Sequence, residues 1–249
     1  MPGGGWSRVC RWRRRSGAGH GPGVAEELAA ALAPLAPRLY SIASSRLEEG
    51  EVAALAVALV RTATPEGPRD GAGSGHLAAL AEGARLRVFW EPNPRFRLPA
   101  EDERDLVMVG AGTGIAPFRA FLQERAARGA RGRHWLLYGA RRRGEDFLYQ
   151  LDWLRWRRRG LLHRLSLAFS RQRGDRAYVQ DRLREEGAEL LAWIEGGAAL
   201  YVCGGTAMGE GVEAALGELL IRLRGLSPEE AAARLQAWRA EGRYRRDLY

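Results

Sequence analysis

The second part of the chain, from residue 105 onward, alternates short apolar runs with segments whose apolar residues recur at helical spacing. Apolar runs bounded by glycine or polar residues are typical of buried strands, and the amphipathic segments between them are typical of helices. The predicted strands cover residues 106–110, 134–139, 164–170, 199–203 and 245–249. The predicted helices cover residues 115–128, 146–158, 179–186, 189–195, 208–223 and 228–239. This alternation predicts an α/β fold with a doubly wound parallel sheet that binds its ligand at the carboxyl ends of the strands.

The first part of the chain has a different pattern. Runs of β-type residues at 39–43, 52–61 and 85–90 are separated by clusters of Gly, Pro and Glu, and a short helix is predicted over 76–81. This pattern predicts part of an antiparallel β unit, preceded by a short helix at 25–33 and followed by the α/β domain. Residues 1–23 are rich in Gly, Arg and Ser without apolar periodicity, which predicts a disordered tail.

Composition and charge change this picture little. The 249 residues carry a net charge of +9, but every basic residue is arginine, and the arginine clusters are scattered. A compositional bias toward arginine explains this better than nucleic-acid binding, because charge alone is weak support for a nucleic-acid interface. No apolar run approaches the roughly 20 residues that span a membrane. The two cysteines, Cys10 and Cys203, favour a reducing, cytoplasmic setting over a disulfide framework.

A glycine-rich segment follows the first predicted strand of the α/β domain and opens a helix. It has the sequence GAGTGIAP at residues 110–117, with the spacing G-x-G-x-G. Glycines let a backbone approach a phosphate closely, and the free N–H groups at a helix start favour an anion. A tight strand-to-helix turn without a ligand is equally compatible with this motif taken alone.

A second candidate site follows the third predicted strand of this domain. Ser170 and Arg171 are joined there by Arg176, Tyr178 and Gln180. Two guanidinium groups and a hydroxyl suit a phosphate dianion, and a tyrosine can stack on adenine, so this cluster predicts a site for the 2′-phosphate of NADPH. Taken alone, these arginines are also typical of a solvated face.

Three further motifs are weaker when each is taken alone. Cys203 ends a buried-type strand ahead of a glycine turn, where it either fills the core or lines a nicotinamide pocket. The tetrad RLYS at 38–41 and the GAGS segment at 71–74 offer groups that could bind a flavin's pyrophosphate and ring, although the tetrad is also compatible with an edge strand. The chain ends in the aromatic residue Tyr249.

In this order, the motifs resemble the ferredoxin–NADP reductase superfamily. The closest resemblance is to the flavoprotein (alpha) subunits of bacterial NADPH-dependent sulfite reductases, which are relatives of cytochrome P450 reductase. The segments that carry it are RLYSIASS (38–45), FRLP (96–99), GTGIAPFRAFLQER (112–125), EDFLYQLDW (145–153), AFSR (168–171), YVQDRLRE (178–185), YVCG (201–204) and RYRRDLY (243–249).

The resemblance implies roles for individual residues. The implied FAD-binding residues are Arg38, Leu39, Tyr40, Ser41, Gly71, Ala72, Gly73 and Ser74, with Tyr249 covering the isoalloxazine. The implied NADPH-binding residues are Gly112, Thr113, Gly114, Ile115 and Ala116 at the pyrophosphate, and Ser170, Arg171, Arg176, Tyr178 and Gln180 at the adenosine end. The implied catalytic residues around the hydride-transfer site are Ser41, Cys203 and Asp247. No metal ligand is implied.

The resemblance also implies a function and partners. It implies a cytoplasmic flavoprotein reductase that moves hydride from NADPH to FAD and passes electrons, through an FMN-containing flavodoxin-like domain, to the haemoprotein (beta) subunit of sulfite reductase. It implies a partial antiparallel FAD-binding β-barrel over residues 24–98 and a Rossmann-like NADP(H)-binding domain over residues 99–249. The FMN domain and the first half of the FAD barrel have no counterpart before residue 38, so an N-terminal truncation is expected. The alternatives are a reductase for another haem protein or a flavodoxin, and a fragment that binds NADP(H) without turnover.

Two departures from the pattern of these relatives lie near the predicted dinucleotide site. Ala111 stands where the family's glycine-rich loop has a proline, and Gly211 stands where an acidic residue is expected. Both departures predict weaker nucleotide binding without a change in the hydride-transfer site.

Overall fold

The computed structural model describes residues 35–174 and 176–249. The predicted disordered tail of residues 1–23 and the predicted helix of residues 25–33 lie outside the described residues. The chain divides into two units, Met1–Leu39 and Tyr40–Tyr249. The fold below is that of the second unit, and the predicted boundary at residues 98 and 99 stays a prediction.

The strands form two separate sheets. A small antiparallel sheet pairs Arg61–Thr64 (β1) with Gly67–Asp70 (β2). A five-stranded parallel sheet contains Leu106–Ala111 (β3), His134–Ala140 (β4), Arg164–Phe169 (β5), Ala199–Gly204 (β6) and Tyr244–Leu248 (β7). Its strand order is β5-β4-β3-β6-β7, which confirms the predicted parallel sheet with strand ends shifted by no more than one residue.

Two short helices precede the parallel sheet, and the remaining helices connect its strands. In chain order the helices are Arg46–Glu49 (α1), Ala72–Ala78 (α2), Ala116–Ala127 (α3), Arg143–Asp146 (α4), Gln150–Arg158 (α5), Val179–Glu185 (α6), Gly187–Glu195 (α7), Thr206–Arg224 (α8) and Pro228–Ala240 (α9). The single helix predicted over 146–158 is wrong in its first turn. Tyr149 has a φ of 56°, so the backbone is left-handed there and α5 begins only at Gln150.

Both faces of the parallel sheet are covered, as the doubly wound prediction requires. Alternate residues of a strand point to opposite faces. On β3, Val107 and Val109 belong to a buried cluster shared with α6, α7, α8 and α9, whereas Leu106 and Met108 belong to one shared with α3 and α5. This two-sided burial explains why the strands have nearly continuous apolar sequences and why the sequence pattern locates them well.

The strands predicted in the first part of the chain are mostly absent. Residues 39–43 and 52–60 contribute only an isolated bridge between Ile42 and Leu55, Arg61 begins the short strand β1, and residues 85–90 contain no strand. A strand needs a neighbouring strand for its backbone hydrogen bonds, and none of the described strands runs beside residues 85–90. The apolar side chains of residues 85–90 therefore lie at the surface, with Val88 85% and Trp90 65% exposed.

A buried histidine lies at the start of β4. His134 Nε2 accepts a hydrogen bond from Arg125 Nε at 3.0 Å, and its Nδ1 donates to the carbonyl oxygen of Leu161 at 2.8 Å. Because the guanidinium N–H can only donate, these partners fix the neutral tautomer with the proton on Nδ1. Burial lowers the pKa of His134 to about 4.

This histidine predicts a pH-dependent stability. Between pH 6.5 and about 4 the unfolded chain binds a proton at this residue and the folded chain does not, so stability is lost as the pH falls through this window. The expected loss in the free energy of unfolding is about 3 kcal/mol. Urea unfolding at pH 7 and at pH 4.5 measures it. The variant His134→Gln should show a smaller loss, and an equal loss in both proteins would contradict the assignment.

Candidate functional site

The glycine-rich segment lies where the strand order of the parallel sheet reverses. The strand β3 is paired with β4 on one side and with β6 on the other. Its carboxyl end leads into a 3₁₀ turn, Gly112–Ile115, and then directly into α3. In open α/β sheets, ligands bind in the crevice at this switch point, where neighbouring connections leave in opposite directions.

Each glycine of this segment also has a structural reason. A Cβ at Gly114 would lie 2.2 Å from the carbonyl oxygen of Cys203, and a Cβ at Gly110 would lie 2.9 Å from the ring of Phe118. Gly112 has a φ of 56°. The glycines let the turn pack against the end of β6, and the first N–H groups of a helix have no partner within it. Because packing alone accounts for the glycines, the case for a nucleotide depends on the residues around them.

A basic cleft lies at the carboxyl ends of β4 and β5. It has a volume of about 640 Å³ and is lined by Arg141, Ser170, Arg171, Gln172, Arg173, Arg176 and Tyr178. Four of these side chains are guanidinium groups, and no described lining residue is acidic. Tyr178 is 43% exposed, and the Arg176 guanidinium lies 5.6 Å from its ring centroid. The structure thus brings four of the five predicted adenosine-end residues into one cleft with the chemistry of a phosphate and aromatic-base site.

Arg141 was missed as a candidate from the sequence. It was counted among scattered basic clusters, but it directly follows β4, and its carbonyl oxygen accepts a hydrogen bond from the Arg171 N–H at 2.8 Å. The signal that could have identified it is its position as the first residue after a parallel strand, at the edge of the sheet where ligands bind.

Gln180, the fifth predicted residue, lies beside the cleft and contacts Gly211. A Cβ at Gly211 would be 3.3 Å from Gln180 Nε2. The glutamine side chain therefore packs over the position where an acidic residue was expected. Any side chain at position 211 would require Gln180 to shift.

The three predicted catalytic residues meet at the carboxyl end of β6. Cys203 and Asp247 are paired neighbours on β6 and β7. Asp247 Oδ2 accepts a hydrogen bond from Ser41 Oγ at 3.2 Å and from Cys203 Sγ at 3.9 Å. Its other oxygen accepts one from Asn93 Nδ2 at 3.4 Å, a contact that sequence reasoning missed. One carboxylate therefore collects three donors from three separate parts of the chain.

Cys203 is a neutral thiol in this arrangement. It is fully buried, and burial raises the pKa of its thiol strongly, with a further increase from the negative charge of Asp247. A thiol with so high a pKa is not a nucleophile at physiological pH. Cys203 can contribute a hydrogen-bond donor and apolar packing to the site, but no covalent chemistry.

Tyr249 links this group to the glycine-rich turn. Its phenolic oxygen lies 3.0 Å from Thr113 Oγ1, and its backbone N–H donates to the carbonyl oxygen of Gly204 at 3.1 Å. The residue is 64% exposed. Thr113 and Tyr249 therefore lie together where β3 and β6 end, and an exposed ring that is held by one side-chain hydrogen bond can move aside at little cost.

The predicted flavin-binding residues are less completely assembled. Tyr40 is half-buried next to Ser41. In the 71–74 segment, Ser74 Oγ accepts a hydrogen bond from the Val60 N–H at 3.0 Å, and the Gly71 N–H donates to the Val60 carbonyl oxygen at 2.8 Å. The hydroxyl of Ser74 thus already supports the local backbone. Arg38 and Leu39 are exposed in the first unit, so their contacts with FAD stay a prediction.

Across residues 35–174 and 176–249, no cluster of three or more His, Cys, Asp or Glu side chains is arranged to hold a metal ion. None of the helices described above is long and apolar enough to cross a membrane.

Comparison with known proteins agrees with this geometry. Residues 108–214 match the family model of the oxidoreductase NAD-binding domain. Over 90% of its length the chain is 48% identical to the sulfite reductase [NADPH] flavoprotein alpha-component of Sodalis glossinidius. The corresponding protein of Pectobacterium atrosepticum is 48% identical over 91% of the chain, and that of Neisseria meningitidis is 46% identical over 91%.

These comparisons confirm the resemblance found in the sequence. The chain is a homologue of the sulfite reductase flavoprotein alpha-components. It spans 38%, 37% and 38% of the length of the three relatives, respectively.

Proposed function

We propose that this chain is an NADPH-dependent flavoprotein reductase component that carries hydride from NADPH to FAD. The observation that carries the proposal is the meeting of Ser41, Cys203 and Asp247 at the end of β6, beside the dinucleotide turn. FAD would supply the hydride-accepting chemistry there, and the protein would orient the two cofactors against each other. The homology to NADPH-dependent flavoproteins supports the same reaction.

We expect the basic cleft to select NADPH over NADH by binding the 2′-phosphate. The 2′-phosphate is a dianion, and guanidinium groups form strong charge-assisted hydrogen bonds with phosphate oxygens. A site for the ribose of NADH would instead offer a carboxylate to the free 2′-hydroxyl. Arg141, Arg171 and Arg176 supply the positive charge, and Tyr178 offers an exposed ring for adenine.

Asp247 is the group that we expect to favour hydride release. A dihydronicotinamide becomes positively charged as it loses hydride, and a fixed carboxylate nearby lowers the energy of that developing charge. Ser41, Asn93 and Cys203 hold the carboxylate in place through their hydrogen bonds. Cys203 remains protonated throughout because of its raised pKa.

Electrons would leave FAD for a further carrier. The name of the relatives and the sequence resemblance support transfer, in the cytoplasm, through an FMN-containing flavodoxin-like domain or protein to a sulfite reductase haemoprotein. A second candidate function is NADP(H) binding without turnover. It is favoured by residues 85–90, which form no strand and expose Val88 and Trp90, because the predicted flavin-binding part then forms less sheet than the nucleotide-binding part.

An absorbance spectrum of the purified chain distinguishes these functions. FAD is added, unbound flavin is removed, and the spectrum is recorded before and after NADPH, with NADH as the control. Bleaching of a retained flavin band by NADPH supports the reductase. Saturable NADPH binding without retained flavin supports the binding function, and the absence of NADPH binding contradicts both.

A further inference from the structure

A network of charged and polar side chains joins helix α3 to the segment that follows Ser41. Its members, here called the docking network, are Ser45, Glu49, Arg119, Gln123 and Asp152. Arg119 and Gln123 are one helical turn apart, so they share a face of α3. That face lies against residues 43–49 and away from solvent, and Gln123 is almost completely buried.

Arg119 is the centre of the docking network. Its Nη1 donates to the Ala43 carbonyl oxygen at 2.8 Å and to Glu49 Oε1 at 2.9 Å, and its Nε donates to Asp152 Oδ2 at 2.7 Å. Its side chain is only 15% exposed. The Tyr149 ring, whose centroid is 5.0 Å from the guanidinium carbon, covers it. One side chain thus joins three segments: residues 43–49, α3 and the start of α5.

Gln123 repeats the same connection one turn later. Its Nε2 donates to Glu49 Oε1 at 2.7 Å, and its Oε1 accepts from the Ser45 backbone N–H at 2.8 Å. The hydrogen bond from Gln123 is the largest influence on the pKa of Glu49, which is lowered despite its partial burial. Glu49 therefore keeps its charge down to low pH, and the docking network stays intact across the physiological range.

The backbone around the docking network is strained at one point. Tyr149 adopts a left-handed conformation that non-glycine residues rarely use. Such strain persists where the surrounding structure fixes it, and it is common at functional sites. Here it places the Tyr149 ring over Arg119 and lets Asp152, three residues later, reach the guanidinium from the first turn of α5.

We infer that Arg119 is a positioning residue for hydride transfer. It holds the segment that carries Ser41 in place against α3, the helix that begins after the glycine-rich turn. Arg119 lies in the first turn of α3, directly after Gly112–Ile115, and it binds the Ala43 carbonyl two residues from Ser41. Ordering of the turn by NADPH is thereby passed to the Ser41–Asp247 contact. The inference rests on the proposed function for its catalytic consequence, but the coupling itself is a property of the fold.

Hydrogen exchange tests the coupling without requiring turnover. In the wild-type chain, NADP⁺ is expected to slow amide exchange in peptides that cover residues 41–50, because binding orders α3 and α3 holds this segment. In Arg119→Met and in Glu49→Gln this protection is expected to disappear, while protection of the glycine-rich turn remains. Arg224→Met is the matched control, because Arg224 pairs with Glu195 at the far end of α8 from the site.

Flavin reduction after rapid mixing with NADPH tests the catalytic consequence. A misplacement of about 1 Å can slow a reaction about 100-fold, so Arg119→Met is expected to reduce flavin about 10- to 100-fold more slowly at saturating NADPH, with NADPH affinity nearly unchanged. Arg119→Lys, which keeps the charge but cannot reach both carboxylates, should recover part of the rate. NADPH deuterated at the transferred position should show a larger isotope effect in the slow variants.

The outcomes separate the coupling from the proposed function. A wild-type chain that shows the exchange protection but reduces no flavin contradicts the proposed function and supports the coupling. Unchanged protection in both variants overturns the inference, as does a rate loss that saturating NADPH or FAD restores. If Arg119→Met does not fold, Glu49→Gln and Arg119→Lys give the same two readouts.

Discussion

Replacement of Arg171 by alanine is expected to lower the affinity for NADPH about 100-fold and to leave the much weaker affinity for NADH within about twofold. A hydrogen bond between charged groups contributes roughly 1.5–3 kcal/mol, and a guanidinium can form two with one phosphate. Arg171 directly follows Ser170 at the end of β5 in the basic cleft, and its backbone is fixed by the hydrogen bond to Arg141. The neighbouring arginines cannot replace its paired geometry.

Fluorescence or calorimetric titration with both nucleotides measures this selectivity. Arg234→Ala is the control, because it removes the same charge from an exposed position on α9. Any loss seen in the control reports the protein's overall positive charge. An equal loss of NADPH and NADH affinity in Arg171→Ala would place Arg171 at a part of the nucleotide that both share, and would contradict its assignment to the 2′-phosphate.

The parallel sheet was predictable because its strands are buried on both faces. Such strands are continuous apolar runs that glycine or polar residues end abruptly, so the pattern places β3 and β6 almost to the residue. The break before α5 was not predictable, because Tyr149 carries no local signal for a left-handed backbone. The tertiary contacts of its ring with Arg119 and Trp153 accompany that conformation.

The strands of the first part of the chain were predicted wrongly because their residues are not buried in a sheet. Residues such as Val88, Phe89 and Trp90 have a high β-propensity, but propensity describes fit to a paired, half-buried surface. The described residues provide no neighbouring strand there, and the segment stays irregular and exposed. Local pattern therefore identified residues suited to a sheet without showing whether a sheet is present.

The candidate site depends on contacts that sequence spacing does not reveal. Ser41 and Asp247 are 206 positions apart, and only the family resemblance predicted that they meet. Asn93 and Arg141 were missed because an amide in a loop and an arginine in a basic run have no periodicity. Arg119 was missed because an arginine on an amphipathic helix is usually solvated, and only the fold shows that residues 43–49 cover it.

Replacement of Asp247 by asparagine is expected to slow flavin reduction by NADPH about 100-fold while NADPH affinity changes little. Asparagine has nearly the same shape, and its one oxygen can still accept hydrogen bonds from Ser41 and Cys203, so the variant removes the charge and only the long, exposed hydrogen bond from Asn93. Removal of one preorganised electrostatic group from an active site typically costs 100- to 1,000-fold in rate, and a partly exposed carboxylate belongs at the lower end. Rapid-mixing absorbance at saturating NADPH measures the rate.

The thiol next to Asp247 gives an independent check on the same charge. Burial raises the pKa of Cys203 first and the Asp247 carboxylate raises it further, so Asp247→Asn should lower this pKa while burial still keeps the thiol neutral at pH 7. The pH dependence of alkylation of Cys203 in slowly opening protein reports the direction. Glu218→Gln, which removes an exposed carboxylate paired with Arg184, should change neither the rate nor the thiol.

The two measurements together distinguish electrostatics from packing at this site. If Asp247→Asn lowers both the Cys203 pKa and the rate, the carboxylate acts through its charge on the nicotinamide. If the Cys203 pKa falls and the rate does not, the wild-type charge of Asp247 acts on the thiol but not on the transferred hydride. In that case Ser41→Ala, which removes a donor without changing any charge, should be the slower variant, and the role of Asp247 would be to hold the Ser41 hydroxyl.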